Sequence, residues 1–278
     1  MKALRRHTAV LMIAAGLALT GCRDTAVPER GPEIAVTNSY LASVTRDLGG
    51  EDLDILCLAP PGMCPGHFDL SPAQVRQLRS CRMLLLFDFQ RQIEQRLVRL
   101  QRGGLKMNVV QSTVGLCVPD TYRAACEEVC RMLSREYPEK AAVFAERLAA
   151  IEQRLEGLSA ELRNSVVDSG HLEAKVLTSN HQSRFAEWLG LEPVATFVGS
   201  DLETIANVDH CLRKAAGHEI RFVIANRQEG TALAEALADR LHARAVVFSN
   251  FPELTQGVAG FDRLVRENVH LLFETGVR

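Results

Sequence analysis

Apolar residues recur in two alternating periods along the chain, and that alternation predicts an α/β protein. The stretch Glu33-Ile-Ala-Val-Thr37 reads as a first strand, Ser39 to Leu48 as a helix, and Gly49-Gly50 as its stop. Leu53 to Leu58 predicts a second strand. Pro60-Pro61-Gly62 then breaks the chain, and Ser71-Pro72 opens a helix running to about Arg79. Met83 to Phe87 is an unbroken apolar run of buried-strand length, and Gln90 to Gln101 is helical. Strands separated by helices in this way call for a parallel sheet.

Thr121 to Ser134 carries a helical pattern, and Pro138 begins a second helix-forming segment that lasts to about Asn164. Val143, Leu148, Ile151, Leu155, Leu158 and Leu162 recur there at helical spacing. A helix of about 26 residues would be about 40 Å long, enough to bridge two lobes. The alternation then restarts: strands at Lys175–Thr178, Pro193–Phe197, Arg221–Ala225 and Ala245–Phe248, with helices at Ser183–Leu189, Glu203–Ala216, Gly230–Leu241 and Gly260–Phe273. The expected architecture is two parallel-sheet α/β lobes, 33–135 and 165–278, joined by one long backbone helix over 136–164. The halves differ in sequence, so this is no solenoid repeat.

Composition changes the picture little. The chain has 278 residues, 47% of them hydrophobic and 24% charged, which excludes long disorder, collagen and coiled-coil fibre. With 32 basic and 34 acidic residues the formal charge is −2, so no general field attracts nucleic acid and phosphate binding would need a local patch. The N-terminus matters more. Lys2, Arg5 and Arg6 precede an apolar run from Ala9 to Leu19, too short to span a bilayer, and residues 1–21 read as a signal peptide. Leu19-Thr20-Gly21-Cys22 looks like a bacterial lipobox, with Cys22 as the lipidated new N-terminus. Three basic and no acidic residues leave with the signal peptide, so the mature chain is acidic, at −5. It is expected to be exported, periplasmic or at the cell surface, anchored to a membrane by lipid without a transmembrane helix, with 22–32 as a polar tether. Seven cysteines remain and none forms a CxxC pair, which argues against a zinc ribbon or thioredoxin motif. Cys126 and Cys130 share a helix face, and most of the seven read equally well as small buried hydrophobes.

The two α/β halves joined by a long helix, in an exported lipoprotein, resemble the solute-binding proteins of zinc and manganese ABC importers. The resemblance runs from about Ile34 to the C-terminus. Its marks are Pro60-Pro61-Gly62-Met-Cys-Pro-Gly-His67-Phe-Asp-Leu-Ser-Pro72, similar to the family's PPG…PH…P loop, and Ser179-Asn180-His181 ahead of Phe185 and Gly190-Leu191. Phe261 to Phe273, with Asn268 in an amphipathic helix, is similar to the family's last helix.

That family typically holds its metal with three histidines and a carboxylate, so the resemblance implies His67 as the first ligand and His181 near the third. The second and fourth positions depart from the pattern. Val114-Gly-Leu-Cys117-Val118 has no histidine, and Cys117 is the strong donor there. After the last strand come Ser249-Asn250-Phe251-Pro252-Glu253, where Asn250 is a poor zinc ligand and Glu253 must reach back. A rebuilt site of His67, Cys117 and His181, completed by Cys64 or Glu253, would favour Zn2+ or Cu(I) over Mn2+. The implied function is extracytoplasmic capture of a transition metal ion, zinc first, by a monomer that delivers it to an ABC permease without chemical transformation. Two alternatives stay open. One is a structural or interaction lipoprotein whose metal site is lost, or which binds a different small solute; the other is a thiol oxidoreductase using Cys126 and Cys130. No GxSxG, HExxH, P-loop or strand-to-helix GxGxxG occurs, and no His-rich tract either. His171, His210, His218, His242 and His270 fall in polar contexts and read as solvated.

Overall fold

The computed structural model describes residues 31–59, 70–199, 203–254 and 259–274, with the side chains of 91, 92 and 94–96 left aside. In the first half β1 (Ile34–Val36), α1 (Ser39–Gly49), β2 (Ile55–Cys57), α2 (Pro72–Leu78), β3 (Met83–Phe87), α3 (Arg91–Arg102) and β4 (Lys106–Val110) build one sheet. Two helices follow, α4 (Pro119–Glu136) and α5 (Ala141–Asp168). The second half repeats the plan with β5 (Lys175–Ser179), α6 (Asn180–Trp188), β6 (Glu192–Phe197), α7 (Ile205–Ala215), β7 (Phe222–Asn226), α8 (Ala232–Leu241), β8 (Arg244–Phe248) and α9 (Gly260–His270).

Both sheets are four-stranded and parallel, in the orders β2-β1-β3-β4 and β6-β5-β7-β8. The chain steps one way from the first strand of each half and then crosses to its other side. The crossover creates a topological switch point between β1 and β3, and another between β5 and β7, where open α/β sheets expose backbone for ligands at the carboxyl ends of the strands. Two α/β lobes joined by a long helix are therefore what the hydrophobic pattern predicted.

Local chemistry explains most boundaries. Asn38 caps α1 by accepting the Leu41 N–H at 3.0 Å, and Gly50, with φ of 61°, ends it in a conformation that a side chain would strain. Ser71 and Gln74 form a reciprocal capping box on α2, with Pro72 at its first turn. β4 is the one strand that the pattern did not predict. Lys106 and Asn108 interrupt its apolar run, as an edge position beside only β3 allows.

α5 spans 28 residues, about 42 Å, and extends four residues past the expected end at Asn164. Its buried stripe is Phe144, Ile151, Leu155, Leu158, Leu162 and Val166; Val143, assigned to the stripe by spacing, is 41% exposed. The stripe packs within one continuous core that takes Val36, Tyr40 and Phe87 from the first half and Phe185, Phe248 and Phe261 from the second. Residues 31–278 form one compact unit. Outer layers cover the far face of each sheet: α2 and α3 bury Leu78, Ile93 and Leu97 on the first, and α7 and α8 bury Cys211, Ala234 and Leu237 on the second.

A buried ionic knot ties α1, α4, α5 and α9 together. Arg154 of α5 lies 2.5 Å from Asp47 of α1 and 3.0 Å from Asp262 of α9. Tyr122 of α4 donates to Asp47 at 3.0 Å and its ring stacks on Phe261 at 4.0 Å, while the Ala259 N–H donates to the other Asp47 oxygen at 2.7 Å. Burial raises the Asp262 carboxyl even though Arg154 opposes the shift. Among the described residues no helix is long and apolar enough to cross a membrane.

Candidate functional site

Among the described residues, the first switch point is filled by neutral side chains, with Asp88 set to one side of it against Ser112. Thr37 and Asn38, just after β1, and Gln90, just after β3, are fully buried around the first switch point. Thr37 donates to the Gln90 Oε1 at 2.6 Å, and the Phe87 N–H donates to the same oxygen at 3.1 Å. This cluster fixes the loops but offers no charged donor.

The second switch point is different. β5 ends at Ser179 and α6 begins at once, so His181 sits in the first turn of a helix rather than in a loop. β7 ends at Asn226, and a 3-10 turn over Arg227–Glu229 carries Glu229 to face it. His181 Nδ1 and Glu229 Oε1 are 2.5 Å apart, and the Ser179 hydroxyl donates to Glu229 Oε2 at 2.5 Å. The His181 side chain is 62% exposed, that of Glu229 only 17%. Hydrogen bonding to Glu229 raises the imidazole above its ordinary value of 6.5, against partial desolvation. Burial alone would raise Glu229, but the hydrogen bonds from His181 and Ser179 prevail and hold it below the usual carboxylate range. Gly199, after β6, leaves room for this pair: a Cβ there would collide with Glu229 and stand 2.8 Å from its carbonyl oxygen.

Behind the pair lies a buried amide network. Gln182 donates to Asn226 at 3.2 Å and to Asn250 at 3.1 Å. Cys117, between β4 and α4, reaches into it from the other half. Its thiol donates to the Ser249 carbonyl at 3.1 Å and lies 3.3 Å from Asn250 Oδ1, and Asn268 of α9 donates to its sulfur at 3.5 Å. Burial pushes the Cys117 thiol far up, outweighing the Asn268 hydrogen bond, so it is a neutral donor rather than a thiolate.

Of the residues singled out by sequence, Cys22, Cys64 and His67 lie outside the described residues. His181, Cys117 and Glu253 lie inside, and the structure does not gather them into one set. Glu253 is exposed beside a small cleft with Arg227, Arg263 and Glu267, next to Asn268. Among the described residues, no three His, Cys, Asp or Glu side chains stand close enough together to hold a metal ion. The carboxylate beside His181 is Glu229, which sequence reasoning missed by looking after β8. Strand order holds the missing signal: β7 is the neighbour of β5, so residues just beyond β7 face those just beyond β5.

The cysteines otherwise behave as core. Cys57, Cys81, Cys117, Cys126, Cys130 and Cys211 are free thiols. Burial raises both Cys126 and Cys130, which disfavours the thiolate that an oxidoreductase needs. His171 is not simply solvated: its ring stacks near Phe273 and meets Phe222 edge-on, and burial lowers its imidazole.

The architecture is similar to that of solved periplasmic metal-binding proteins. The manganese-bound periplasmic metal-binding protein of Candidatus Liberibacter asiaticus superposes with a TM-score of 0.74 at 12% identity, over 87% of this chain and 98% of its own. The periplasmic zinc-binding protein TroA of Treponema pallidum gives 0.70 at 15% identity, over 87% and 97%. A ZnuA crystal structure gives 0.68 at 16%, over 88% and 100%. At these identities the likeness establishes the fold. No curated protein sequence matches the chain. Residues 117–274, more than half of the chain, match the family model of the periplasmic zinc-uptake complex component A, ZnuA, and the chain belongs to that family.

Proposed function

We propose that the protein captures a transition metal ion outside the cytoplasm, zinc first, and delivers it to the permease of an ABC importer while a lipid on Cys22 holds it to the membrane. The observation that carries this reading is the His181–Glu229 pair at the second switch point, in a chain of the zinc-uptake family. With Nδ1 engaged by Glu229, His181 presents Nε2 outward as the metal donor, and the carboxylate orients the ring, as carboxylates behind metal-bound histidines commonly do. His67 and Cys64 are assigned the donors from the opposite lobe. Cys117 would have to break its bonds to Ser249 and Asn250 and ionise in order to join them, so its part is to wall the site. Glu253 stands at the rim and is assigned no bond to the metal. Imidazole with a thiolate suits zinc or Cu(I) and disfavours manganese.

A second reading is favoured by the amide network: with Asn226, Asn250 and Gln182 at the strand ends, the scaffold would hold a neutral solute or a protein partner instead of a metal. Titration with Zn2+, Cu(I) and Mn2+ against a competing chelator separates the two. The metal reading expects one equivalent of zinc or Cu(I) bound more tightly than manganese. Failure of all three to bind overturns the metal reading and leaves the second.

A further inference from the structure

We propose that the arginine-rich outer face of the first lobe, centred on Arg79, Arg99 and Arg102, docks on an anionic phospholipid surface beside the chain's own anchor, the anchor itself resting on the Cys22 reading above. Residues 70–106 carry seven arginines and one lysine against Asp88 and Glu94, in a chain whose overall charge is −2. This is the local patch that a phosphate-seeking surface requires.

Packing puts the charge on one side. α2 and α3 turn Leu78, Ile93 and Leu97 inward onto Leu84 and Leu86 of the sheet. Arg76, Arg79, Arg99 and Arg102 are left exposed on the outer sides of the two helices, with Val98 37% exposed among them. Of the described basic side chains in this stretch, Lys106 is engaged by Glu136 at 2.6 Å and Arg82 lies over the Tyr137 ring. Along the amino edge of the sheet the charge runs from Asp54 and Glu33, before β2 and β1, to Arg82 and Lys106, before β3 and β4. The acidic end borders the patch at α2, where Asp54 acts on Cys81 beside Arg79, and lies away from α3, so the positive charge is least offset at Arg99 and Arg102.

The tether supplies the second, independent argument. Gly31, where the described chain begins, packs against the end of α2: a Cβ on it would stand 2.9 Å from Ser80 Oγ. Ser80 follows Arg79 and stands two residues before Arg82, whose N–H donates to the Glu33 carbonyl at 2.8 Å. The chain leading back to the anchor therefore leaves from the border of the basic face. The nine residues from Cys22 to Arg30 reach at most about 30 Å when fully extended, so a lipid on Cys22 would hold Gly31 within about that distance of the bilayer. Confinement of this kind makes a weak electrostatic contact sufficient. An acidic protein would fit the charge but not the position at the anchor's exit.

The test uses the chain from residue 23, which carries the compact unit and no lipid, with vesicles of phosphatidylglycerol and phosphatidylethanolamine or of phosphatidylcholine alone. The expected result is sedimentation with the phosphatidylglycerol vesicles only, lost at high salt. Arg79→Gln/Arg99→Gln/Arg102→Gln should weaken it about fivefold per arginine, about a hundredfold together. Arg213→Gln/Arg240→Gln, on exposed helix faces of the other lobe, should leave it unchanged. Equal binding to both vesicle types, no binding to either, or a triple variant that binds like the parent would overturn the proposal and, in the last two cases, turn attention to an acidic protein partner. The mass of the mature N-terminus tests the Cys22 anchor separately, so the two failures cannot be confused.

Discussion

Arg154→Ala should destabilise the protein by about 3–5 kcal/mol at neutral pH, the cost of leaving buried carboxylates without their cation. Asp47 and Asp262 are 4% and 3% exposed and share that one guanidinium. Burial already raises the Asp262 carboxyl above its ordinary value against the pull of Arg154, and in the variant it would lie further above the unfolded aspartate value of about 3.9. A group shifted upward contributes its stability below the unfolded pKa and loses it as pH rises through the folded one. The gap between parent and variant should therefore be large at pH 7 and shrink as the pH falls towards 4. Urea unfolding at the two pH values measures this; a loss below about 1 kcal/mol at neutral pH would mean that Tyr122 and the Ala259 N–H satisfy Asp47 by themselves.

The largest functional effect short of removing a ligand is expected from Glu229→Gln, about 10–100-fold in zinc affinity, because the carboxylate that orients His181 is lost. The same pair sets a pH dependence. A proton and a metal ion compete for His181, whose pKa is raised by Glu229, so zinc affinity should climb as pH rises through a value above 6.5. In Glu229→Gln that rise should move to lower pH. For the metal-free protein the pair stabilises the fold in a window. The His181 part is complete below 6.5 and fades as pH rises through its raised pKa; the Glu229 part is complete above its ordinary 4.5 and fades as pH falls through its lowered one. Competition titrations across pH, on the parent and Glu229→Gln, check the affinity and its displacement together. An unchanged pH profile would remove Glu229 from the site.

Fold and site were legible to different depths, for physical reasons. Helix and strand periods, the Gly50 stop and the Ser71-Pro72 start are local, and each produced the element expected. β4 escaped because an edge strand tolerates Lys106 and Asn108 on its half-exposed faces. Val143 was given to the buried stripe of α5 because spacing alone does not fix where a stripe starts; Phe144, the next residue, is the one buried. At the site, His181 was legible as a residue near a strand end. The character of Cys117 was not, since its neutral state is set by burial against Ser249, Asn250 and Asn268, over 130 residues away in sequence. Glu229 was hidden for the same reason, because it meets His181 only through the order of strands in the sheet.

The most direct test of the central claim, that this chain carries a metal ion, is elemental analysis of residues 23–278 purified without chelator under reducing conditions, beside His67→Ala/His181→Ala. The account predicts about one equivalent of zinc or copper in the parent and none in the double variant. A parent without metal that acquires none on titration, or a double variant that keeps a full equivalent, would contradict it.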